Sequence, residues 1–399
     1  MRVNKLTVPV VCSNIRLLET PPRYPPFTGG VENVSQATCS RLVARGDEVL
    51  VICADDPPHS PLLGDGVPIR RLRSQFKIAN TNITLGLPAA IAHENWEVVH
   101  TYLPTPWAAD WSAVIARVLG RACVLSFYND TVGEGFARFI AGVYRATAFR
   151  LLLHLSDRVI VASEYWRDHL ISLNPSLAGR VVIIPNGVDL ERFTVGPHGD
   201  GRRLLFVGIL DRYHRYKGLD VLLKALARVS QRCELTVVGE GDLRPEYEQL
   251  AEALGVNADT HFVGRLSDEE LERAYQQSDI YILPSDFARQ EGGFTLTALE
   301  AMASGLPVVL ADGAGQIAGE AAASGAGIRV PVGDPESLAE ALDLLLSDSR
   351  RRGAMGEAAR NYVEARLSWD VITEQRRAVY EEAVDVAHTR RGRRHRNSS

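Results

Sequence analysis

No two cysteines of the chain stand at CxxC spacing. Cys12, Cys39, Cys53, Cys123 and Cys233 are scattered, which indicates neither a zinc site nor a disulfide framework. They read as reduced core or near-core residues of a cytosolic protein. Long apolar runs are also missing: no window reaches ~18 uninterrupted apolar residues, so no transmembrane helix is expected. The early run Leu6–Cys12 contains Pro9 and is followed by polar Ser13-Asn14, a poor secretory signal. Basic charge is not in excess, and the net charge of -5 argues against a general nucleic-acid binder. No G-x-G-x-x-G follows an early strand, and the later turn Gly239-Glu240-Gly241 lacks a third glycine, which disfavours a nicotinamide dehydrogenase. No strand ends in an Asp-x-Asp pair suited to a divalent cation, since Asp55-Asp56 runs straight into Pro57-Pro58.

What remains is an ordinary soluble composition, 46% hydrophobic and 23% charged, over 399 residues. That length suggests two domains. Short apolar strands alternate with helical stretches. The first series of strands is Ile15–Leu18, Glu48–Cys53, Val98–Thr101, Ala122–Ser126, Arg158–Val161 and Val181–Ile184, with helices such as Val31–Arg45 and Trp107–Leu119 between them. A second series runs Leu204–Val207, Glu234–Val238, Asp259–Val263, Asp279–Leu283, Pro307–Leu310 and Gly327–Val330. Strands separated by helices imply parallel βαβ units. The expected fold class is α/β: two doubly wound, Rossmann-like domains, 1–195 and 202–366, joined by a loop holding Gly196, Pro197 and Gly199-Asp200-Gly201. Ligands of such sheets bind at the carboxyl ends of the strands, so the site is expected in a cleft that the two domains face.

The most informative stretch is EGGFTLTALEAMASGLPVV, residues 291–309. It follows a strand closed by Pro284-Ser285, and a glycine turn feeds a helix expected from about Phe294 to Ala303. Gly305 ends that helix and Pro307 opens the next strand. A glycine turn at a helix start presents free N–H groups and the positive end of the helix dipole, which suits a phosphate. Glu300 sits two turns on, where a carboxylate can accept hydrogen bonds from sugar hydroxyls. An ordinary strand–loop–helix unit with a solvated glutamate would read the same way.

Further segments carry a resemblance. They are YPPFTGGVENVSQATCSRLVARGDEVLVIC at 24–53, VVHTYLPTPWAADWSAVIA at 98–116, IIPNGVDLERF at 183–193, LFVGILDRYHRYKGLDVLLKAL at 205–226, LTVVGEGD at 235–242, HFVGRLSDEEL at 261–271 and the block 284–309. In this order and spacing the chain resembles the nucleotide-sugar-dependent, retaining glycosyltransferases of family 4, the group-1 type, which adopt the two-Rossmann GT-B architecture.

The resemblance implies roles. Gly29-Gly30, before the helix at Val31, would let the backbone approach the donor pyrophosphate and acceptor; a tight turn is the bland alternative. Lys217, directly before Gly218, would stabilise the departing nucleoside diphosphate. The family's arginine in that loop normally follows the glycine, where this chain has Ile209; Arg212 is the substitute and Arg215 the alternative. Gly239 and Gly241 form the second domain's glycine turn, and the backbone around Val263 would read the nucleotide base. Gly293, Phe294 and Thr295 would lie against the donor, and Glu300 would hold the ribose hydroxyls. Two departures stand out. The glutamate that contacts the donor sugar normally lies eight positions before its partner; here that position is Gly292, and Glu291 is the nearest carboxylate. Tyr128 stands where a histidine commonly faces the donor sugar, and Tyr102 follows His100 where a second histidine is frequent. A phenol donates a hydrogen bond but is a poor base near neutral pH.

The implied function is transfer of a sugar from a UDP- or GDP-sugar to a glycan, lipid-linked or small-molecule acceptor, with retention of configuration. Phosphate charge would be met by Lys217, Arg212 and backbone N–H groups, with no cofactor and no bound magnesium. The rival is a nucleotide- or glycan-binding subunit that has lost turnover. Leu367–Val384 resembles the family's terminal helix crossing back to the first domain (367–386), with Trp369, Ile372 and Tyr380 as its apolar contacts. The basic tail 387–399, five of whose residues are arginines, reads either as a disordered solvated terminus or as an attraction to an anionic membrane. Phe136–Leu155 reads as a buried helix in preference to an interfacial one. The expected location is cytoplasmic, with peripheral contact at the inner membrane face as an option.

Overall fold

The structure, a computed structural model, describes residues 14–27, 29–59, 65–78, 80–129, 136–197, 199–286 and 295–396. Runs rich in valine, leucine and isoleucine, buried on both faces, are the mark of a parallel sheet covered by helices. Two such sheets form. The first contains β1 (Arg16–Thr20), β2 (Glu48–Ala54) and β3 (Ile69–Leu72). After a small hairpin, β4 (Phe76–Ile78) with β5 (Thr81–Ile83), come β6 (Val98–Leu103), β7 (Ala122–Phe127), β8 (Arg158–Val161) and β9 (Val181–Ile183). Their order is β3-β2-β1-β6-β7-β8-β9. The second sheet contains β10 (Arg203–Val207), β11 (Glu234–Val238), β12 (Thr260–Gly264), β13 (Ile280–Leu283), β14 (Val308–Ala311) and β15 (Gly327–Val330). Its order is β12-β11-β10-β13-β14-β15, with every pair parallel.

Both orders reverse direction once. In the first sheet the chain moves outward from β1 to β3, then returns to β6 on the other side of β1. In the second it moves from β10 to β12, then returns to β13. These reversals, at β1/β6 and β10/β13, are where strand-end loops part and a ligand crevice opens. All twelve expected strands are present within a residue or two. The sequence reading missed β3, β4 and β5. Two arginines interrupt Ile69–Leu72, a suitable guard for a sheet edge but a weak strand signal. The hairpin strands have three residues each, too few for periodicity.

The described residues form two compact units. One ends at Val159 and resumes at Arg376; the other is Ile160–Gln375. In the first, the aliphatic core of the sheet (Leu17, Leu18, Val51, Ile52, Val98, Val99) is essentially unexposed. In the second, Leu204–Phe206, Ile280–Leu283 and Val308–Leu310 play that part.

Three readings are sharpened or corrected. The terminal helix runs from Trp369 to Arg396, so the tail expected to be disordered from 387 is helical as far as Arg396. The reason is that its residues have partners: Ala387 is 2% exposed, and Arg390 donates to the Asp157 carboxylate and, at 2.9 Å, to the Arg121 carbonyl. Trp369, Ile372 and Tyr380 are buried as expected. Phe136–Leu155 is two helices, Phe136–Ala146 and Ala148–Leu155, half buried: Ala141, Phe149, Leu152 and Leu153 face inward while Val143 and Leu151 are exposed. Cys39, Cys53 and Cys123 are buried thiols and Cys233 is partly exposed; Cys12 lies outside the described residues. Among the described residues no helix is long and apolar enough to cross a membrane.

The helix Phe136–Ala146 is pinned by Tyr144, whose hydroxyl donates to Asp110 Oδ1 at 3.0 Å. Burial pushes Asp110 up to about 6, against the Tyr144 bond, from 3.8 in the exposed chain. A raised carboxyl destabilises the ionised folded form, a penalty absent below the unfolded value and complete above the folded one. Asp110→Asn keeps an acceptor for Tyr144 and removes the charge. It should stabilise the protein at pH ~7 by about 3 kcal/mol, with the gain vanishing near pH ~4. Thermal unfolding at the two pH values checks this; equal gains at both would show that the buried charge is not the cause.

Candidate active site

At the carboxyl end of β10 the backbone packs unusually tightly. Gly208 N–H donates to the Val238 carbonyl at 2.9 Å, Leu210 to Glu240 at 3.0 Å, and Gly239 to Gly264 at 2.9 Å, so the ladder continues past the strand ends. A Cβ on Gly239, whose φ is +143°, would collide with the Gly208 carbonyl oxygen, and one on Gly241 would collide with the Leu210 backbone. Chain-to-chain packing alone therefore accounts for both glycines. A Cβ on Gly208 would stand 2.7 Å from Lys217 Cδ, so the bare glycine is what lets the lysine lie across the strand end.

Lys217 ends a six-residue 3₁₀ helix, Arg212–Lys217, stopped by left-handed Gly218. Burial pushes its ammonium below the usual lysine value, opposed by the charges of Glu300 and Asp211. Glu300 lies on the helix Leu296–Ala303, which follows β13. Burial pushes its carboxyl up, opposed by the Tyr275 hydroxyl, which donates to Oε2 at 2.8 Å, and by Arg192 and Lys217. Tyr275 is itself fully buried and packs edge-on against Phe193. The second unit thus brings Lys217 and Glu300 together at the β10/β13 reversal, both partly desolvated.

The other candidates fall differently. Arg212 is 82% exposed and pairs with Asp242 at 3.1 Å, and Arg215 pairs with Glu246; neither joins Lys217. Val263 is the extra residue of a bulge, because Val237 faces Phe262 and Val238 faces Gly264. A bulged peptide lacks a ladder partner, which leaves it available to a ligand. Thr295 precedes the first turn of Leu296–Ala303 and makes no capping bond with its side chain. Glu291, Gly293 and Phe294 lie outside the described residues.

In the first unit, Gly29 is extended and Gly30 begins the helix Gly30–Ala44. A Cβ on Gly29 would collide with the Glu32 carboxylate, which is buried in the first turn. Burial raises Glu32, opposed by a backbone bond and by Arg23. An acidic side chain already stands at the helix start where the sequence reading placed only backbone. Tyr128 follows β7. Its oxygen accepts from Arg376 Nη2 at 3.1 Å, and its ring stacks on Tyr102 at 6.3 Å. Beneath lies a buried polar cluster. Glu19 accepts from Ser35 (3.1 Å) and from Tyr102; His100 Nδ1 is 3.1 Å from Glu19 and 2.9 Å from the Tyr380 hydroxyl, with Nε2 2.8 Å from Ser126.

The chain matches two family models, "Glycosyltransferase Family 4" over residues 28–192 and "Glycosyl transferases group 1" over 189–362. The chain belongs to the group 1, family 4 glycosyltransferases. It is similar to a D-inositol 3-phosphate glycosyltransferase of Kineococcus radiotolerans, 27% identical over 94% of this chain and 96% of that one. It is also similar to a GDP-mannose-dependent alpha-(1-6)-phosphatidylinositol monomannoside mannosyltransferase of Mycolicibacterium smegmatis, 28% identical over 87% and 93%. Among solved structures it superposes on HepE of Anabaena with a TM-score of 0.70, covering 92% of this chain and 100% of that one at 18% identity. That likeness bears on the fold, which is GT-B.

Around the candidate residues stand side chains that pattern reading missed: Tyr275 and Arg192 around Glu300, and Arg376 against Tyr128. Arg376 and Tyr128 are 248 positions apart, and no spacing rule links them. Tyr275 in EELERAYQQ looks like any helical core tyrosine.

The opposed shifts at Lys217 and Glu300 predict a narrowed pH window. Glu300 must be ionised to accept from hydroxyls, and its raised value brings the acidic loss to higher pH than an exposed glutamate would. Lys217, lowered, loses its charge at lower pH than an exposed lysine. Lys217→Ala should slow turnover about a hundredfold or more, as loss of an oxyanion donor does. Glu300→Gln should weaken nucleotide binding and leave the fold intact. Initial rates across the pH range test this, and unchanged turnover in Lys217→Ala would remove the lysine from the chemistry.

Proposed function

We propose that the protein transfers a sugar from a UDP- or GDP-sugar to a glycan, lipid-linked or small-molecule acceptor, retaining the anomeric configuration. The observation that carries this is the partly buried Lys217 and Glu300 at the β10/β13 reversal. A fixed cation there suits the charge that develops on the departing diphosphate, and a desolvated carboxylate suits a ribose diol. Support comes from the names of similar proteins: a GDP-mannose-dependent mannosyltransferase among the relatives, and HepE structures with UDP and with UDP-glucose. D-inositol 3-phosphate and a phosphatidylinositol mannoside, from the names of similar proteins, are the first acceptors to try.

Metal is not assigned a role in this reading; phosphate charge falls to Lys217 and backbone N–H groups. The sugar-contacting carboxylate is assigned to Glu291 and the facing phenol to Tyr128. Peripheral membrane contact fits the exposed Val143, Leu151, Arg145 and Arg150 on a stretch, 136–155, that contains no acid. The second reading, a binding subunit without turnover, draws on Tyr128, whose oxygen is engaged by Arg376 rather than by a catalytic base.

Nucleoside diphosphate release from a panel of UDP- and GDP-sugars, with each acceptor, separates the two. Turnover undiminished in excess chelator, giving a product of retained configuration, is the expected result. Binding of nucleotide with no release from any donor favours the subunit reading. Activity abolished by chelator and restored by magnesium contradicts the metal-free assignment.

A further inference from the structure

We propose that His214, oriented by Asp211, is a second hydrogen-bond donor to the departing diphosphate, acting beside Lys217. The proposal rests on the reading of the second unit as the nucleotide-sugar side.

A 3₁₀ helix has three residues per turn, so side chains at i and i+3 eclipse. The loop therefore sorts into three faces. Asp211, His214 and Lys217 share one; Arg212 and Arg215 share the second; Tyr213 and Tyr216 share the third. Contacts bear this out independently. Arg212 and Arg215 both reach carboxylates that follow β11, Asp242 and Glu246. Arg212, Tyr213, Arg215 and Tyr216 line a groove with Pro284 and Val332 that neither His214 nor Lys217 borders. Asp211 is one of the charges that act on Lys217. His214 is thus the other side chain on the lysine's face that can carry a positive charge.

Its geometry is that of an aimed imidazole. Asp211 Oδ1 accepts from the His214 backbone N–H at 2.8 Å and from Nδ1 at 2.7 Å. A carboxylate accepts only, so Nδ1 carries the proton, and ring orientation is fixed. Nε2 has no partner among the described residues, and the side chain is 29% exposed. The Tyr216 ring, 5.7 Å away, limits the swing of the imidazole. With Nδ1–H committed to Asp211, Nε2 donates only when the ring is an imidazolium. Asp211 and an arriving diphosphate are the negative groups beside the ring, and Lys217 is the positive one on the same face. The remaining charges nearby are Glu300, which faces Lys217, and Asp242 and Glu246, which are engaged by the two arginines.

In the transfer, the bond from the sugar C1 to the diphosphate oxygen breaks with its electron pair on the phosphate. A new C1–O bond forms to the acceptor, whose hydroxyl proton passes to the released phosphate. His214 keeps its proton throughout and only donates a hydrogen bond to the phosphate oxygens.

Calorimetry of UDP and GDP with the full-length protein, its His214→Ala and His214→Gln variants, and Asp211→Asn tests this from pH ~6 to ~9. The turn survives in His214→Ala because Asp211 still accepts from the backbone N–H of residue 214, and thermal unfolding checks it. The alanine variant should bind about tenfold more weakly at the acidic end, as expected for one lost charge-assisted bond, and the deficit should close as pH rises. The glutamine variant, with a neutral N–H near the same place, should bind with intermediate affinity and no such pH dependence. Asp211→Asn should weaken binding in the same pH-dependent way. Wild-type binding that is equalled by His214→Ala at every pH overturns the role of His214 and leaves the donor reading standing. No binding of either nucleotide to the wild type overturns both.

Discussion

The second unit depends on one steric constraint: the backbones at the ends of β10 and β11 touch with no side chain between them. Gly208, Gly239 and Gly241 meet each other or the Leu210 peptide, and their N–H and carbonyl groups pair beyond the formal strands. A chain pressed this closely against its neighbour leaves the strand end with little freedom of direction. Leu243 N–H closes back on the Leu210 carbonyl at 2.8 Å, and Asp286 N–H on the Tyr216 carbonyl at 2.7 Å, so the ten-odd residues between β10 and the next helix are held at several points. The tight 3₁₀ turn is the form that fits, and its three-residue period then decides which side chains meet the strand end. Lys217 is among them, Arg212 and Arg215 are not. The placement of Lys217 follows from a packing rule about glycine.

The first unit solves a different problem, that of seating a charged helix on a sheet. Arg376 is fully buried, yet its Nε and Nη1 have no partner among the described residues. Each buried donor left unmade costs about 1–3 kcal/mol. Part of the offset is polar: Tyr128 accepts from Nη2, and Tyr102 and Tyr380 stand close to the group. Such a cluster contributes less stability than an apolar interface of equal size, but it tolerates only one register of the helix. One member is Tyr128, so the register of the terminal helix and the position of that phenol are set together.

The fold was legible in the sequence because its signals are redundant. Most core strands are apolar runs flanked by glycine or proline, and most are followed by a helical period, so twelve strands could be placed from local evidence alone. What failed was evidence that local pattern does not carry. The edge strand Ile69–Leu72 has two arginines and the hairpin strands have three residues each. The tail from 387 looked disordered because five arginines without an acid usually are; it is helical because Asp157, far away in sequence, accepts from Arg390. Lys217 and Glu300 were candidates from motif, and the second unit brings them together. Arg212 was the substitute for the family's arginine, and in the structure it is exposed and paired with Asp242. Tyr275 and Arg376 are ordinary residues that stand by the candidate site through contacts 25 and 248 positions apart in sequence.

The same geometry bears on how few cations the second unit offers an anionic ligand. Arg244 is shared among Glu240, Glu248 and the Phe262 carbonyl, Arg192 between Asp268 and Glu272, and Arg203 is committed to Asp279. With Arg212 and Arg215 likewise paired, positive charge is abundant in the sequence but mostly neutralised where it stands. Lys217 differs: its opposite charges, Glu300 and Asp211, act on it without an ion pair among the described residues, and its surroundings are poorly solvated. An ammonium in that state gains most from an incoming phosphate, because the interaction is screened little by water and no existing salt bridge has to be broken first. One under-compensated lysine on a rigid turn is a stronger electrostatic device than several exposed, paired arginines.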